Sequence, residues 1–257
     1  MASDADRYLL APSAYPELAD ALGEHVDTVI SVHLLRRGLC RAYIAGSPQH
    51  FTAVVIESPG STELRGFGED AEALYNLLEV IPNWSCVDVA SSCAPELGHL
   101  IEERMSISVR YYRDLHHALR KPVEFRYDPA VRRLTPADIS LLESAPAAVR
   151  AEGFGTANAM LAEGVAAAAI VADRIVGIAF TSARSHDYAD VAVSTLELWR
   201  NRGFAAAAAG LVVHDIQEAG QIPVWSTGED NYASLRVAEK LGFSRECELT
   251  YVILQAQ

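Results

Sequence analysis

The chain reads as an α/β protein: a mixed sheet flanked by helices, built twice in tandem. Three observations carry this reading. Apolar patterning gives the order helix, strands, helix, strand, helix, strand across residues 1–120, and the same order again across 121–257. Ile81-Pro82-Asn83-Trp84-Ser85 is echoed by Ile222-Pro223-Val224-Trp225-Ser226 with one mismatch, each between two helical stretches, as an internal duplication would leave it. The third is the stretch Val191–Ala209, in which a short apolar strand feeds a basic, glycine-containing turn and then unbroken alanine, the residue of lowest helix cost.

In the first half, Tyr15–Leu35 repeats apolar residues at helical spacing and ends by Gly38. Cys40–Ala45 and Phe51–Ile56 read as a hairpin around Gly46-Ser47-Pro48, with Thr62–Gly66 as a third strand. A helix over Asp70–Val80 follows, then a strand at Trp84–Val89, a helix at Pro95–Arg104 and a strand at Ile107–Tyr112. Pro122 and Asp128-Pro129 punctuate the boundary between the halves.

The second half opens with a strand at Val131–Leu134 and a helix start at Thr135-Pro136-Ala137-Asp138, threonine as cap and proline in the first turn. Helices are expected at Ala137–Glu143 and Thr156–Ala162, separated by the loose stretch Ala145–Gly155. Val165–Val171 and Ile175–Ala183 are strands about the tight turn Asp173-Arg174, and Tyr188–Thr195 is the next strand. A helix over Gly203–Ala219, a strand at Pro223–Ser226 and a helix over Asn231–Leu241 follow, and Glu248–Leu254 closes the sheet.

Composition removes several classes. Half the 257 residues are apolar and a fifth charged, a globular composition. A formal charge of −13 argues against nucleic acid as a partner, because phosphate neutralisation needs a basic face. The four cysteines and the scattered histidines show no metal-ligand spacing, so no metal is expected and the thiols suit a reducing compartment. Met1–Asp6 is too polar for a signal peptide, and no apolar run approaches the ~20 residues of a membrane span, which makes the cytoplasm the expected location. Within so acidic a chain, Arg200-Asn201-Arg202-Gly203-Phe204-Ala205 stands out as a phosphate cradle: backbone N–H groups at a helix start, with two cations beside them.

From about residue 130 to 254 the sequence resembles the GNAT superfamily of CoA-dependent N-acetyltransferases. The resemblance lies in Arg200–Ala205 as the Arg/Gln-x-x-Gly-x-Gly/Ala signature after the fourth strand, and in Asn231, Ser234 and Gly242-Phe243 on the helix after the fifth. It implies a GNAT-type splayed sheet, with acetyl-CoA or another acyl-CoA as co-substrate and a small-molecule amine as acceptor, the protein acting as monomer or homodimer. The first half looks like a degenerate copy, giving domains at 1–120 and 121–257. Its equivalent turn, Gly66-Phe67-Gly68-Glu69-Asp70, carries two acids that would repel a diphosphate.

The resemblance also assigns residues. Arg200, Asn201, Arg202, Gly203, Phe204 and Ala205 would hold the CoA diphosphate, and Val193, Ser194 and Thr195 the pantetheine, with a strand amide aimed at the thioester oxygen. Asn231 is either a helix cap or a CoA contact, and both roles are compatible. An amine must lose a proton before it attacks, and Asp190, His186 and Asp187 are candidates to take it. The family commonly protonates the leaving thiolate with a tyrosine seven residues after the asparagine, where this chain has Ala238; Ser234, Asn231 or water would substitute. Trp199 and Trp225 are expected in the core or flanking CoA. The sequence therefore predicts acetyl transfer to a small amine by direct attack, with a silent acyl-CoA-binding module or a bulkier acyl donor as alternatives.

Overall fold

A computed structural model of the chain describes residues 7–58, 60–151 and 153–255. Residues 1–6, read above as too polar for a signal peptide, and residue 152 of the Ala145–Gly155 stretch lie outside the described residues. The chain divides into two compact units. One comprises residues 1–23, 31–115 and 247–257, the other residues 24–30 and 116–246.

In the first unit, helices α1 (Tyr15–Leu22) and α2 (Val29–Arg37, of this unit from Ser31 on) precede an antiparallel meander of β1 (Arg41–Ser47), β2 (His50–Glu57) and β3 (Glu63–Phe67). The single helix expected over Tyr15–Leu35 is broken because Gly23 takes a left-handed φ of 75° and ends α1. Helix α3 (Ala71–Glu79) then carries the chain over to β4 (Cys86–Ala90), parallel to β3. Helix α4 (Ala94–Met105) follows, then β5 (Val109–Ala118), whose last residues belong to the second unit. Leu64, Leu74, Leu77, Val87, Leu97 and Ile101 form the core between sheet and helices.

The second unit repeats that succession. After β6 (Val131–Arg133), α5 (Ile139–Glu143) and α6 (Ala157–Glu163) comes the antiparallel meander β7 (Ala166–Val171), β8 (Arg174–Arg184) and β9 (Tyr188–Thr195). Helix α7 (Phe204–Glu218) crosses to β10 (Ile222–Gly228), parallel to β9. Helix α8 (Tyr232–Leu241) ends at Gly242, left-handed at φ 92°. The two faces of this sheet are covered differently. Val176, Ala179, Ala189 and Val191 pack on the nearly all-apolar α7, whereas Ile178 and Phe180 pack with Leu142, Met160 and Leu161 of α5 and α6.

The last strand departs from expectation. Glu248–Leu254, expected to close the sheet of the second half, belongs to β11 (Ser244–Leu254), most of which lies in the first unit. There it runs antiparallel to β4 from Leu249↔Ala90 to Ile253↔Cys86 and stands between β4 and β5. The second half of the sequence thus supplies a central strand to the first unit, and Val252 of that strand is buried in its core. No helix among the described residues is long and apolar enough to cross a membrane.

Candidate active site

The site begins where two parallel strands part. β9 and β10 are in register only over Tyr188↔Ile222, Ala189↔Pro223 and Asp190↔Val224. Beyond that rung β9 continues to Thr195, held on its other side by β8 through Gly177↔Thr195. From Val191 onward the β10-facing edge of β9 therefore has no ladder partner, leaving backbone groups to be satisfied from elsewhere.

The chain leaves β9 through a 3-10 turn at Glu197–Trp199 and two left-handed residues, Asn201 (φ 61°) and Gly203 (φ 87°). Gly203 is the N-cap of α7, and no side chain caps that helix. Its first N–H groups are thus open to an anion, with the helix dipole behind them. A side chain built on Gly203 would meet no protein atom within 4 Å, so the glycine serves its left-handed φ and an open approach rather than tight packing.

The turn, the end of β9 and one face of α8 enclose a cleft of about 510 Å³. Val193, Ser194, Thr195, Arg200, Asn201, Arg202, Gly203, Phe204, Ala205, Asn231 and Ser234 all line it, gathering residues from two separate stretches of the sequence. Arg200 donates from Nε to the carbonyl of Thr195 (3.3 Å). The Arg202 guanidinium lies 4.5 Å over the Trp199 ring, a cation–π contact that holds it at the rim. Asn231 caps α8, its Oδ1 accepting from Ser234 N at 3.2 Å. The indole N–H of Trp225, itself 2% exposed, donates to Ser234 Oγ at 2.9 Å. An indole nitrogen only donates, so the serine oxygen is the acceptor and the serine keeps its own O–H to give.

Three sequence expectations resolve further. Ala238 is 1% exposed and faces the core beside Trp225 and Leu241, so that position points away from the cleft. Trp225 is core, against Phe243 at 5.5 Å, whereas Trp199 lines the cleft. The three candidate bases separate. His186 and Asp187 sit on the exposed β8–β9 turn, paired with each other at 2.7 Å, and their backbone N–H groups donate to Glu24. Asp190 is 6% exposed at the last β9–β10 rung. Its neighbours Ala189 and Val191 face α7, so strand alternation turns Asp190 to the opposite face, where Ser182 Oγ donates to its carboxylate. Ser182 was not a candidate from sequence. A break in register between Thr181 and Ala183 brings it there, and serine in an apolar strand carries no signal for that.

A sheet split at the end of two parallel strands, with an uncapped helix N-terminus and arginines at the mouth of the split, is a geometry suited to an anionic ligand lying along a strand edge. Comparison with known proteins narrows this. A family profile described as GNAT acetyltransferase matches residues 122–252, just over half of the chain, and the chain belongs to that family. Among solved structures it is similar to a GCN5-related N-acetyltransferase-like protein from Streptococcus suis 89/1591, at 19% identity and TM-score 0.68, covering 95% of this chain and 99% of the other. A GCN5-related N-acetyltransferase from Kribbella flavida aligns at 16% identity and TM-score 0.63 over 90% and 95% of the two chains. A tandem GNAT protein from the clavulanic acid biosynthesis pathway aligns at 11% identity and TM-score 0.55 over 97% and 98%. No curated protein sequence matches. At these identities the likeness speaks for the fold, which is the GNAT fold in tandem.

Proposed function

We propose that the chain is an acyl-CoA-dependent N-acetyltransferase that moves an acetyl group from acetyl-CoA to the amine of a small molecule, by direct attack with both substrates bound. The observation that carries this is the uncapped N-terminus of α7 at the mouth of the β9–β10 split. The residues fit the diphosphate end of CoA: open N–H groups at Gly203–Ala205, and Arg200 and Arg202 beside them. Thr195 supports the fit, because it lines the cleft and its buried hydroxyl has no partner among the described residues.

The chain's groups divide the chemistry as follows. Asp190 takes a proton from the incoming ammonium, directly or through water, and frees the nitrogen lone pair. It sits five residues, roughly 17 Å at about 3.3 Å per residue, from the end of β9, so the reacting end lies deep in the split and the phosphates at its mouth. As the C–N bond forms, the unpaired edge of β9 around Val193 offers a backbone N–H to the charge growing on the thioester oxygen. As the C–S bond breaks, sulfur leaves with the electron pair. Ser234, its oxygen already engaged by Trp225, relays to that thiolate the proton that the nitrogen sheds as it becomes an amide, and so ends with its own O–H restored. No strong acid is needed, since a thiol of pKa ~8.5 is a good leaving group. The strongly acidic chain favours a cationic amine in the encounter.

The test is thiol release from acetyl-CoA across a panel of small amines. Burial pushes the Cys40 and Cys86 thiols up to about 11, so these two stay protonated at assay pH, and a blank without amine corrects for the protein's own thiols. Amine-dependent release supports the enzyme. The buried Ala238 favours a second reading, a silent acyl-CoA-binding module, and binding without release for any amine would establish that one instead. Longer acyl donors in the same assay decide the chain-length preference.

A further inference from the structure

Four cations line the cleft, from two different elements. Arg200 and Arg202 belong to the turn. Arg236 and Lys240 stand on α8 four residues apart, one helical turn along the same face. Among the described residues none of the four has a carboxylate within 4 Å, whereas Arg104, Arg120 and Arg132 are paired at 2.7, 2.6 and 2.6 Å. In a chain of net charge −13, cations left without acids around one cleft indicate a ligand that brings the negative charge itself. Lys240 lies in the last turn of α8, where the helix dipole favours a cation; that explains a lysine there but not why the face it shares with Arg236 lines the cleft. Arg236 uses Nε on the Tyr232 carbonyl (3.1 Å), which leaves its terminal nitrogens to point elsewhere.

The turn accounts for a diphosphate with its own N–H groups and two arginines. A second cationic pair on a separate helix asks for another anionic group on the same molecule. Resting on the reading of this cleft as a CoA site, we propose that Arg236 and Lys240 form a second anion site that reads the ribose 3′-phosphate. The donor is then a free CoA thioester, not an acyl group on the phosphopantetheine arm of a carrier protein. The charges agree: a diphosphate brings two negative charges and a phosphomonoester about −1.5 to −2, against four cations. A carrier-borne arm has a single phosphodiester and would leave the α8 pair unanswered.

Calorimetry with CoA, 3′-dephospho-CoA and 4′-phosphopantetheine tests this on the full chain, in wild type, Arg236→Ala, Lys240→Ala and the double variant. Both side chains are exposed, and melting curves verify that each variant is folded. Wild type is expected to bind CoA roughly tenfold or more tightly over 3′-dephospho-CoA, the worth of one or two charge-assisted bonds. The double variant is expected to bind the two alike, near the wild-type affinity for 3′-dephospho-CoA. Equal affinity in wild type, or a double variant that loses both ligands by the same factor, overturns the 3′-phosphate assignment while leaving the CoA site standing. If wild type binds none of the three, the CoA reading itself fails and this one with it.

Discussion

The two units carry the same device, a meander strand that turns into a helix and returns parallel, and they finish it in opposite ways. In each, the parallel pair holds for three rungs: Glu63↔Cys86 to Arg65↔Asp88 in the first unit, Tyr188↔Ile222 to Asp190↔Val224 in the second. In the second unit the strands then part over a cleft. In the first, the place beyond the third rung is filled, since a Cβ on Gly66 would lie 2.8 Å from Val89 Cγ1 and 3.2 Å from Leu74. The turns differ as much. Gly203 is open on all sides, whereas a Cβ on Gly68 would lie 2.2 Å from the Thr52 carbonyl oxygen. The start of α3 is occupied by the protein itself, with Asp70 accepting from Ala73 N at 2.9 Å, while α7 has no side-chain cap. One carboxylate in the place of a ligand anion is enough to convert a phosphate cradle into an ordinary capped helix. The lesson is that two units with the same ladder can differ at the helix start by a single side-chain cap.

The sharpest way to break the comparison is Gly203→Glu. It places in the second turn the kind of charge the first already has, on a left-handed residue, and should lower acetyl-CoA affinity by two orders of magnitude or about 3 kcal/mol, measured by calorimetry. Unchanged affinity would mean that the open turn is not where CoA binds. Next in size is Asp190→Asn, expected to lower kcat/KM by about 10²–10³-fold, in the usual range for a lost general base. An unchanged kcat/KM in the variant would show that another group or water takes the proton.

Smaller effects sharpen the picture. Trp225→Phe removes the N–H that holds Ser234 and should lower kcat about tenfold with KM little changed, as should Ser234→Ala; because the pair acts as one unit, the double variant should be no worse than either single. Additive losses would show that the tryptophan acts only through packing. At the low end, Asp70→Ala removes the cap of α3 and should cost about 1 kcal/mol of stability, read as a lower melting temperature with no change in acetyl-CoA binding. Any gain in CoA stoichiometry from one to two in that variant would show that the first turn is a latent site held shut by its cap.

Much of this was legible before the fold was in view, for local reasons. Arg200–Ala205 is a contiguous turn whose function rests on its own backbone, so a linear reading finds it. Asn231 as a cap and Gly242 as a stop are likewise local hydrogen-bond and φ requirements. Asp190 was one of three acidic or basic candidates that no local rule could rank. What sets it apart in the fold is its burial and the hydroxyl of Ser182, eight residues away on β8. The end of β5 was missed because Asp114, His116 and His117 look like loop residues, yet all are buried in a strand. Trp225 and Ser234 were both named, but their bond needed α8 to fold over β10.

By itself the sequence determined the repeated order of elements, the glycine turn without a cap, and the acids that replace it in the first half. These depend on periodicity and on groups within a few residues of one another. The tertiary structure alone decided where β9 and β10 part, which of the three candidate bases is buried, and that the final strand lies beside β4. Those outcomes depend on ladder partners far apart in the chain, Leu249 with Ala90 among them. A strand's own residues specify that it must pair, while its partner is chosen by the competition among all available edges.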